Sequence, residues 1–572
     1  MSAISDHIQL AKSKETKYPP LFNKREWLYI NDTTTQYDQG TSIIETTALS
    51  NNDKFLDYNA GYLSVPILIT LTNNTTAAGL ASPSAVAPLP YKKSLGFKQS
   101  FLSMINSITV DLNGQSMVQQ NQLIDIYNNF RLLTSESWTS QNRWSTIGFY
   151  PDLVSDAGLS TVNNIYAPAN TTANNSDNNE GLTERLSYIN LDSTGLSLGT
   201  LANSAVSNLI LEKEIKQLYL SHISKTGPGV DDVSSPFVQY SVKATIMLKD
   251  IHPLFEVMPI SKNLNFKIQV FWNNSAFTAT HSAAVAAIPA NAVAVPPTLE
   301  IPAIPAGWSS QSAQYLAYNG TVPLMLNNWD TGFTNSAANT TLRTCVYVGD
   351  TCYDSTQKSV APGLLTGGVG KQVELWVPAY QMLVDVDRDY SNGHQKIISY
   401  NDYYQFSLKG VAAGDTFNHL VSNGIANLKA CLIVPMLSSL NNNVNVFDDG
   451  LPQSFAHINQ FNVMVGGSNV LHQDSRYAYQ EFNNEFFNEF GINGNQSPGI
   501  GSGLIDFKSW IKKPYYYVNC SRVPLDQQMT YRSLQITGTN SSALPMDYYI
   551  FAIYEKNFSL DIISGVTAKI GL

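Results

Sequence analysis

Residues 105–118 read INSITVDLNGQSMV, and residues 458–471 read INQFNVMVGGSNVL. Each stretch opens with Ile-Asn and then alternates apolar and polar residues, which is typical of a β-strand with one buried face. Each turns at a glycine, Gly114 in the first stretch and Gly467 in the second, and then resumes an extended pattern. The two stretches predict equivalent strand–turn–strand units, several hundred residues apart in one chain.

A short helical pattern follows each of these units. The first contains the cluster YNNF with Tyr127 and Phe130, and the second contains the cluster FNNEF with Phe482 and Phe486. Apolar residues spaced three or four apart form one stripe on a helix, and such a stripe predicts a face packed on the core. Because strand, turn and helix recur together, the sequence indicates two copies of one domain.

Two more blocks repeat in the same order. In residues 247–272, Pro259 marks a predicted turn, and apolar and polar residues then alternate as in a strand. In residues 515–539, Pro524 marks the matching turn. In the alternating strand of the first block, an apolar residue stands at every second position from 266 to 272.

The last pair of blocks closes each half of the chain. The sequence LWVPAYQMLVDV contains Tyr380, and the sequence YYIFAIYEKNFSLDI contains Tyr554. In each block, mostly apolar residues lead up to the tyrosine, and the block ends in branched apolar residues on either side of an aspartate. We predict a single strand over residues 373–386, and the matching order of all the blocks supports a tandem repeat.

The composition favours an all-β protein with more than one core. The chain has 572 residues, of which 43% are hydrophobic and 14% charged, and it contains 30 tyrosines. This length exceeds what one hydrophobic core usually organises. The net charge is -10 and the pI is about 5.3. With no block of lysine and arginine, direct binding to nucleic acid is not expected.

The pattern along the chain predicts an arm, two domains and a linker. The arm either docks on a neighbouring subunit or is a disordered terminus. The first domain carries two long insertions that are poor in core-forming residues, and loops of this kind usually carry surface function. The predicted segments are 1–20 for the arm, 21–390 for the first domain with insertions at about 140–207 and 273–370, 391–397 for the linker, and 398–572 for the second domain.

Motifs for catalysis and for cofactor binding are not found. The eight histidines form neither HxH nor HExxH, so the usual metal-enzyme signatures are missing. The sequence GGVGKQ at 367–372 has a glutamine where a phosphate-binding loop needs Ser or Thr. Asp385, Asp387 and Asp389 imitate the opening of a calcium loop and are a candidate cation site, although a solvated strand end is the simpler interpretation. We expect no catalytic residue and no cofactor.

The four cysteines predict thiols rather than a disulfide framework or a zinc site, because none forms a CxxC pair. The sequence contains no secretion signal and no apolar run of membrane-spanning length. We therefore expect a protein that is made in the cell without a secretion signal.

The chain resembles the double jelly-roll major capsid proteins of polinton-like viruses and virophages, and more distantly those of large eukaryotic DNA viruses. The resemblance covers most of the chain outside the insertions. It rests on the order and spacing of LKDIHPLFEVMP with KIQVFWN, LWVPAYQMLVDVDRDY, NGIANLKACLIVPML, VMVGGSNVL and YYIFAIYEKNFSLDIISG.

This resemblance implies an all-β fold of two tandem eight-stranded jelly rolls, with long loop insertions in the first and short helices. It implies a homotrimeric, pseudo-hexameric capsomer that tiles an icosahedral shell and is located in the virion. The implied partners are other copies of the chain, neighbouring capsomers, and penton and minor capsid proteins; membrane contact is left open.

Two alternatives come from other functional classes. A β-sandwich carbohydrate-binding or adhesin-type surface protein would expose an aromatic platform. A carbohydrate-active enzyme on β-sandwich domains would place a pair of carboxylates in a cleft, and such pairs are set by space rather than by sequence spacing.

Overall fold

The computed structural model describes residues 21–34, 40–50, 53–73, 95–151, 214–220, 235–281, 308–314, 322–326, 340–349, 372–438, 451–452, 456–471, 477–487, 504–521, 531–542 and 545–569. The strands in these ranges are β1 Phe22–Asn31, β2 Thr41–Glu45, β3 Phe55–Leu56, β4 Tyr62–Asn73, β5 Leu95–Phe97, β6 Ile105–Leu112, β7 Gln115–Asn121, β8 Glu214–Leu220, β9 Ser235–Met247, β10 Phe266–Trp272, β11 Ser275–His281, β12 Trp308–Gln314, β13 Leu324–Leu326, β14 Thr340–Val348, β15 Glu374–Met382, β16 Gln395–Val411, β17 Thr416–Ile425, β18 Leu428–Leu437, β19 Ile458–Val465, β20 Ser468–Asn469, β21 Tyr516–Asn519, β22 Arg532–Asn540, β23 Met546–Asp561 and β24 Thr567–Lys569.

The helices in the described ranges are short and lie between the strands. They are α1 Thr47–Ser50, α2 Ile124–Ser135, α3 Gln141–Ile147, α4 Leu248–Ile251, α5 Pro253–Val257, α6 Val384–Ser391, α7 Tyr479–Phe487 and α8 Phe507–Lys512, with 3-10 turns at Phe101–Met104 and Trp138–Ser140. Within the described ranges, no helix is long and apolar enough to cross a membrane.

The strand pairing forms two jelly rolls of identical order. In the C-terminal half, the eight strands β16 to β23 form the sheets β16-β23-β18-β21 and β17-β22-β19-β20. Counted along the chain, these sheets have the orders 1-8-3-6 and 2-7-4-5, which is the order of a jelly roll built from two Greek keys. We call this half the second roll.

The N-terminal half repeats that order. Its eight equivalent strands are β1, β2, β4, β6, β7, β9, β10 and β15, which form the sheets β1-β15-β4-β9 and β2-β10-β6-β7. We call this half the first roll. All of these pairings are antiparallel, and the predicted double jelly roll is confirmed by strand order alone.

The repeated strand–turn–strand unit is the hairpin of the fourth and fifth strands in each roll. β6 and β19 each span eight residues and begin at the two Ile-Asn pairs. The first hairpin turns through Asn113 (φ 50°) and Gly114 (φ 80°), and the second through Gly466 (φ 60°) and Gly467 (φ 84°). Two successive residues with positive φ are what a type I′ hairpin turn requires, which explains the Asn-Gly and Gly-Gly sequences.

The second predicted insertion contains strands that lengthen the first roll. One edge of β4 pairs with β15 over its first residues and then with β14. β11 and β12 follow β14, while β9 and β8 line the other edge of β4. The start of the first predicted insertion contains α3; the residues from 152 to 213, and the predicted arm, lie outside the described ranges.

The predicted end of one strand was wrong. β15 ends at Met382 and α6 begins at Val384, so the strand predicted over 373–386 changes to a helix near its end. Asp385 and Asp387 in the first turn favour the helix, because negative side chains stabilise a helix N-terminus. The predicted linker overlaps α6 and β16, and residues 392–394 lie between them.

The predicted apolar faces are buried. Every second residue of β10, from Phe266 to Trp272, lies in the core. The stripe on α2 and the stripe on α7 are both buried, as the spacing predicted. Pro259 is buried between α5 and β10, whereas Pro524 lies outside the described residues.

Candidate functional site: the seam between the two rolls

The two rolls meet along a buried surface that we call the seam. The first roll contributes β7, α2 and the junction of α4 with α5, and the second roll contributes β16, β23 and the residues that follow β23. No single stretch of sequence builds this surface, because its contacts join residues from opposite halves of the chain.

A buried carboxylate lies at the centre of the seam. Asp402 of β16 is 1% exposed, and its Oδ2 accepts a hydrogen bond from Lys556 Nζ at 2.6 Å. Its Oδ1 accepts from Asn121 Nδ2 at 2.6 Å and lies 3.3 Å from His252 Nε2. Tyr554 donates its hydroxyl to Oδ2 at 3.3 Å. Asn121 and His252 belong to the first roll, so this carboxylate connects the two rolls directly.

The hydrogen bonds define the charge state of this cluster. His252 Nδ1 accepts the backbone N–H of Leu254 at 3.1 Å, so the ring proton belongs on Nε2, which donates to Asp402. Burial lowers the pKa of His252, which keeps the ring neutral. Burial also opposes ionisation of Asp402, but the hydrogen bonds from His252 and Asn121 and the charge of Lys556 hold its pKa well below the ordinary range. The cluster is therefore an ion pair of Asp402 with Lys556.

Side chains also bond to backbone groups across the seam. Tyr400 and Lys556 both donate to the carbonyl of Met117, at 2.8 Å and 3.0 Å. Tyr403 donates to the carbonyl of Gln122 at 3.2 Å. These bonds satisfy carbonyl groups along and just after β7 and fix the register of the second roll against it.

Further along the seam, the chain after β23 binds the first roll. The backbone N–H of Lys262 donates to Ile562 at 2.7 Å, and Asn263 Nδ2 donates to Ile563 at 2.8 Å. Asn113, from the first hairpin turn, donates its side chain to the carbonyl of Gly565. The repeated hairpin turn is thus also a contact between the rolls.

Aromatic rings fill the rest of the seam. The ring centroid of Tyr127 lies 4.2 Å from that of Tyr403. The ring of Phe130 lies 5.6 Å from Phe486 and 4.9 Å from Tyr515. The two helical stripes found in the sequence therefore meet each other, and they serve the seam as well as each roll's own core.

The closing tyrosines have different roles in the two rolls. Tyr380 packs on Phe22 with a centroid distance of 4.4 Å, whereas Tyr554 stacks on Tyr404 at 4.4 Å and bonds to Asp402. No local pattern in the sequence groups Asp402 with His252 and Lys556, because these two partners lie 150 and 154 residues away from it.

The three aspartates of the candidate cation site are separated on α6. Asp387 lies 3.5 Å from Lys262 Nζ and accepts from Ser391 at 3.0 Å. Asp385 and Asp389 lie 4.0 Å and 3.7 Å from Arg388. Among the described residues, no group of three or more His, Cys, Asp or Glu side chains is arranged to hold a metal ion.

The described cysteines are buried thiols. Cys431 is a free thiol, and burial raises its pKa to about 12. Such a thiol is not a reactive nucleophile. The thiol of Cys520 donates to the carbonyl of Val518 at 3.5 Å. Cys352 lies outside the described residues, as does the side chain of Cys345.

A buried carboxyl at the start of α2 predicts a pH-dependent stability. Asp125 is buried, its Oδ1 has no hydrogen-bond partner among the described residues, and burial raises its pKa from 3.8 to about 7. Below pH 3.8 the carboxyl is protonated in the folded and unfolded chain, so it carries no penalty. Between pH 3.8 and about 7 only the unfolded chain ionises, so stability falls by up to about 1.4 kcal/mol per pH unit.

We expect Asp125→Asn to remove the fall in folding stability that Asp125 causes between pH 3.8 and about 7. The variant should gain thermal stability over wild type as the pH rises from 4 to 7 and keep a constant advantage above 7. Thermal unfolding followed across pH 4–8 measures it, with the exposed Asp415→Asn as the control for loss of one negative charge. Parallel profiles for wild type and Asp125→Asn would show that the buried carboxyl has no raised pKa.

A row of stacked aromatic side chains lies on the outer face of the first roll. This aromatic row consists of Trp27, Tyr29, Tyr62 and Trp376. The centroids of Tyr29 and Trp376 are 4.9 Å apart, those of Trp27 and Tyr62 are 5.5 Å apart, and Arg25 lies over the Trp27 ring at 5.6 Å. Alternate residues of the same strands, such as Leu63 and Leu375, are buried, so the row faces away from the core.

Comparisons with known proteins return similar solved structures only. No protein-family model and no curated protein matches the chain. The chain is similar to the mavirus major capsid protein, at 9% identity over 97% of this chain and 92% of that chain, with a TM-score of 0.46. It is also similar to PBCV-1 VP54 fitted into a reconstruction of the virophage Sputnik, at 9% identity, 98% and 99% coverage and a TM-score of 0.35. The major capsid protein P2 of bacteriophage PM2 matches at 7% identity, 93% and 97% coverage and a TM-score of 0.22.

Proposed function

We propose that this chain is a major capsid protein that assembles as a trimeric, pseudo-hexameric capsomer and tiles an icosahedral viral shell. The observation that carries the proposal is the presence of two complete jelly rolls of the same strand order, joined by a buried seam. Such a chain has an internal pseudo-twofold repeat. Three copies around a threefold axis then present six similar wedges, and closed cyclic symmetry is the usual arrangement of homo-oligomers.

The seam supports this proposal because it makes the two rolls one rigid unit. A tile on a lattice must hold its shape while its edges bind neighbours. The seam combines a buried ion pair, side-chain bonds to backbone carbonyls and packed aromatic rings, all of which depend on one relative placement of the rolls. The order of the sequence motifs, which resembles that of capsid proteins, supports the same function.

The remaining parts of the proposal follow from composition. A net charge of -10 without a basic block suits a shell protein that leaves genome packing to other components. We propose other copies of the chain, neighbouring capsomers, and penton and minor capsid proteins as partners, the virion as the location, and no catalytic role.

The mass of the purified chain in solution tests the proposal. Light scattering coupled to size exclusion should give about three times 62.9 kDa, and negative-stain images should show a hexagonal outline. A monomer that neither associates with rising concentration nor joins capsid-like particles on co-expression with candidate shell proteins would contradict it.

The aromatic row favours a second candidate function, a carbohydrate-binding or adhesin-type surface protein. An exposed aromatic ring suits the apolar face of a sugar ring, and the exposed ring of Tyr29, which stacks on Trp376, offers such a surface. A glycan array with the full chain tests this candidate. Specific binding that Tyr29→Ala abolishes would support it over the capsomer.

A further inference from the structure

The seam shows how one roll covers a particular face of the next. In the second roll, Tyr403 of β16 pairs with Ile553 of β23, and Ile553 pairs with Ala430 of β18. This face points away from the second sheet, because Tyr548, which lies on the opposite face of β23, contacts Phe417 of that sheet. Helix α2 of the first roll covers this outer face, and Tyr403 is only 1% exposed.

The equivalent face of the first roll is the aromatic row. Tyr29 of β1 pairs with Trp376 of β15, and Trp376 pairs with Tyr62 of β4. These strands are the first, eighth and third of their roll, as β16, β23 and β18 are of the other roll. In this chain, however, Tyr29 is 57% exposed and Trp27 is 43% exposed. One face is therefore covered within the chain, and no described residue covers its structural equivalent in the same way.

The counterpart of α2 in the second roll is α7. Both helices follow the fifth strand of their roll and carry the matching aromatic and asparagine clusters. Next to α7, Phe507 at the start of α8 packs against Tyr479 with a centroid distance of 5.7 Å and is 58% exposed. The second roll thus presents an aromatic surface beside the helix that is equivalent to the covering helix α2; we call it the α7–α8 surface.

We infer that the aromatic row binds the α7–α8 surface of a second copy of this chain. The inference deepens the proposed function, on which it rests, by naming the faces that join the subunits. The contact repeats between chains what the seam does within one chain. It is head-to-tail, because the two faces differ, and such a contact closes into a ring when the rotation allows. Three seams alternating with three such contacts give the six wedges of a capsomer.

The chemistry of the row fits a protein partner. Tryptophan, tyrosine and arginine are the residues that most often dominate binding energy at protein interfaces. The row holds its rings in stacked arrangements already in the single chain, and Arg25 is positioned by the ring of Trp27 at 5.6 Å and that of Tyr380 at 5.5 Å. A preorganised aromatic surface loses little side-chain entropy on binding.

Charge substitutions on either face test the inference in the full-length chain. We expect the double variant Trp27→Asp/Tyr29→Asp to elute as a monomer at concentrations where wild type is a trimer, and Phe507→Asp to do the same. The control is Tyr531→Asp, because Tyr531 is 65% exposed and lies on neither face. A far-ultraviolet spectrum and a melting temperature like those of wild type show that each variant is folded. Folded variants that remain trimers would overturn the inference.

Mixing the two variants tests the head-to-tail geometry. The row variant keeps its α7–α8 surface and the Phe507 variant keeps its row, so one productive contact forms between them. We expect a mixed dimer of about twice 62.9 kDa that cannot close into a trimer, whereas neither variant forms a dimer alone. Failure to form the mixed dimer, or dimers of one variant alone, would overturn the pairing of these two faces.

The outcomes separate this inference from the proposed function. If wild type is a trimer and the row variant is also a trimer, the proposed capsomer is retained and this interface is refuted. A wild-type monomer that binds glycans through Tyr29 would refute both. Photo-crosslinking from position 29 identifies the occupant. A crosslink to α7 or α8 of another chain supports the inference, and a crosslink to residues 1–20 of the same chain overturns it.

Discussion

Asp402→Ala is expected to lower the free energy of unfolding by about 3–5 kcal/mol, the range for removing one partner of a buried ion pair. The carboxylate is 1% exposed and receives hydrogen bonds from Asn121, His252 and Lys556. Removing it takes this acceptor away from an ammonium group and from the side chains of Asn121, His252 and Tyr554 in the buried seam. The Lys556 side chain is 28% exposed, so water can solvate the unpaired ammonium group. We therefore expect the loss of unfolding free energy to lie at the lower end of this range.

A second variant distinguishes loss of the ion pair from loss of packing. Asp402→Ala/Lys556→Met removes both charges, and we expect it to be more stable than Asp402→Ala, because an apolar replacement of a buried pair is often neutral. Melting temperatures and denaturant midpoints of wild type and both variants measure the difference. If the double variant were no more stable than the single one, the ion pair would not be the source of the effect.

The pH dependence of this contribution has a definite sign. The pKa of Asp402 is depressed in the folded chain, so its contribution is present above the unfolded pKa of about 3.9 and is lost as the pH falls through the folded value. The wild type should therefore keep its advantage over Asp402→Asn throughout neutral pH. Asp125 acts in the opposite direction, since its raised pKa weakens the fold as the pH rises to about 7.

The repeat was predictable because it is local. β6 and β19 begin and end where the sequence pattern indicated, since alternation with a period of two sets the strand and a turn with two positive φ angles requires Asn or Gly. The helical stripes were predictable for the same reason. The step from two domains to jelly rolls needed the strand order, which only the pairing shows.

The seam and the aromatic row were not predictable from one sequence. Asp402 lies in the strand sequence SYNDYYQF, where an aspartate reads as a solvent-facing residue. Its burial depends on His252 and Lys556, which no local pattern connects to it. Trp27 and Tyr29 are two residues apart on β1 and therefore lie on the same face of the strand. Whether that face points to the core or to solvent depends on which sheet covers it. The strand predicted to run through Val386 failed because three apolar residues are too few to distinguish a strand end from a helix start.

Gly565→Ala is expected to destabilise the chain by about 3 kcal/mol or more, because two costs combine at one atom. Gly565 has φ +74°, a left-handed conformation that costs an L-residue about 1–2 kcal/mol. A Cβ at this position would also overlap the carbonyl oxygen of Asn263 and lie 2.9 Å from its carbonyl carbon, and both atoms are backbone. The seam would have to open here, which would disrupt the bond from Asn113 to the Gly565 carbonyl.

Gly414→Ala is the matched control for this prediction. Gly414 has φ +80°, and a Cβ there would meet nothing within 4 Å, so only the conformational cost of about 1–2 kcal/mol applies. The difference between the two melting temperatures therefore isolates the contact between the rolls. If the seam fixes the rolls as one unit, Gly565→Ala should also increase proteolysis near residues 392–394 while Gly414→Ala does not. Equal effects of the two substitutions on stability and proteolysis would mean that the rolls are held together elsewhere, and that the proposed capsomer does not depend on this part of the seam.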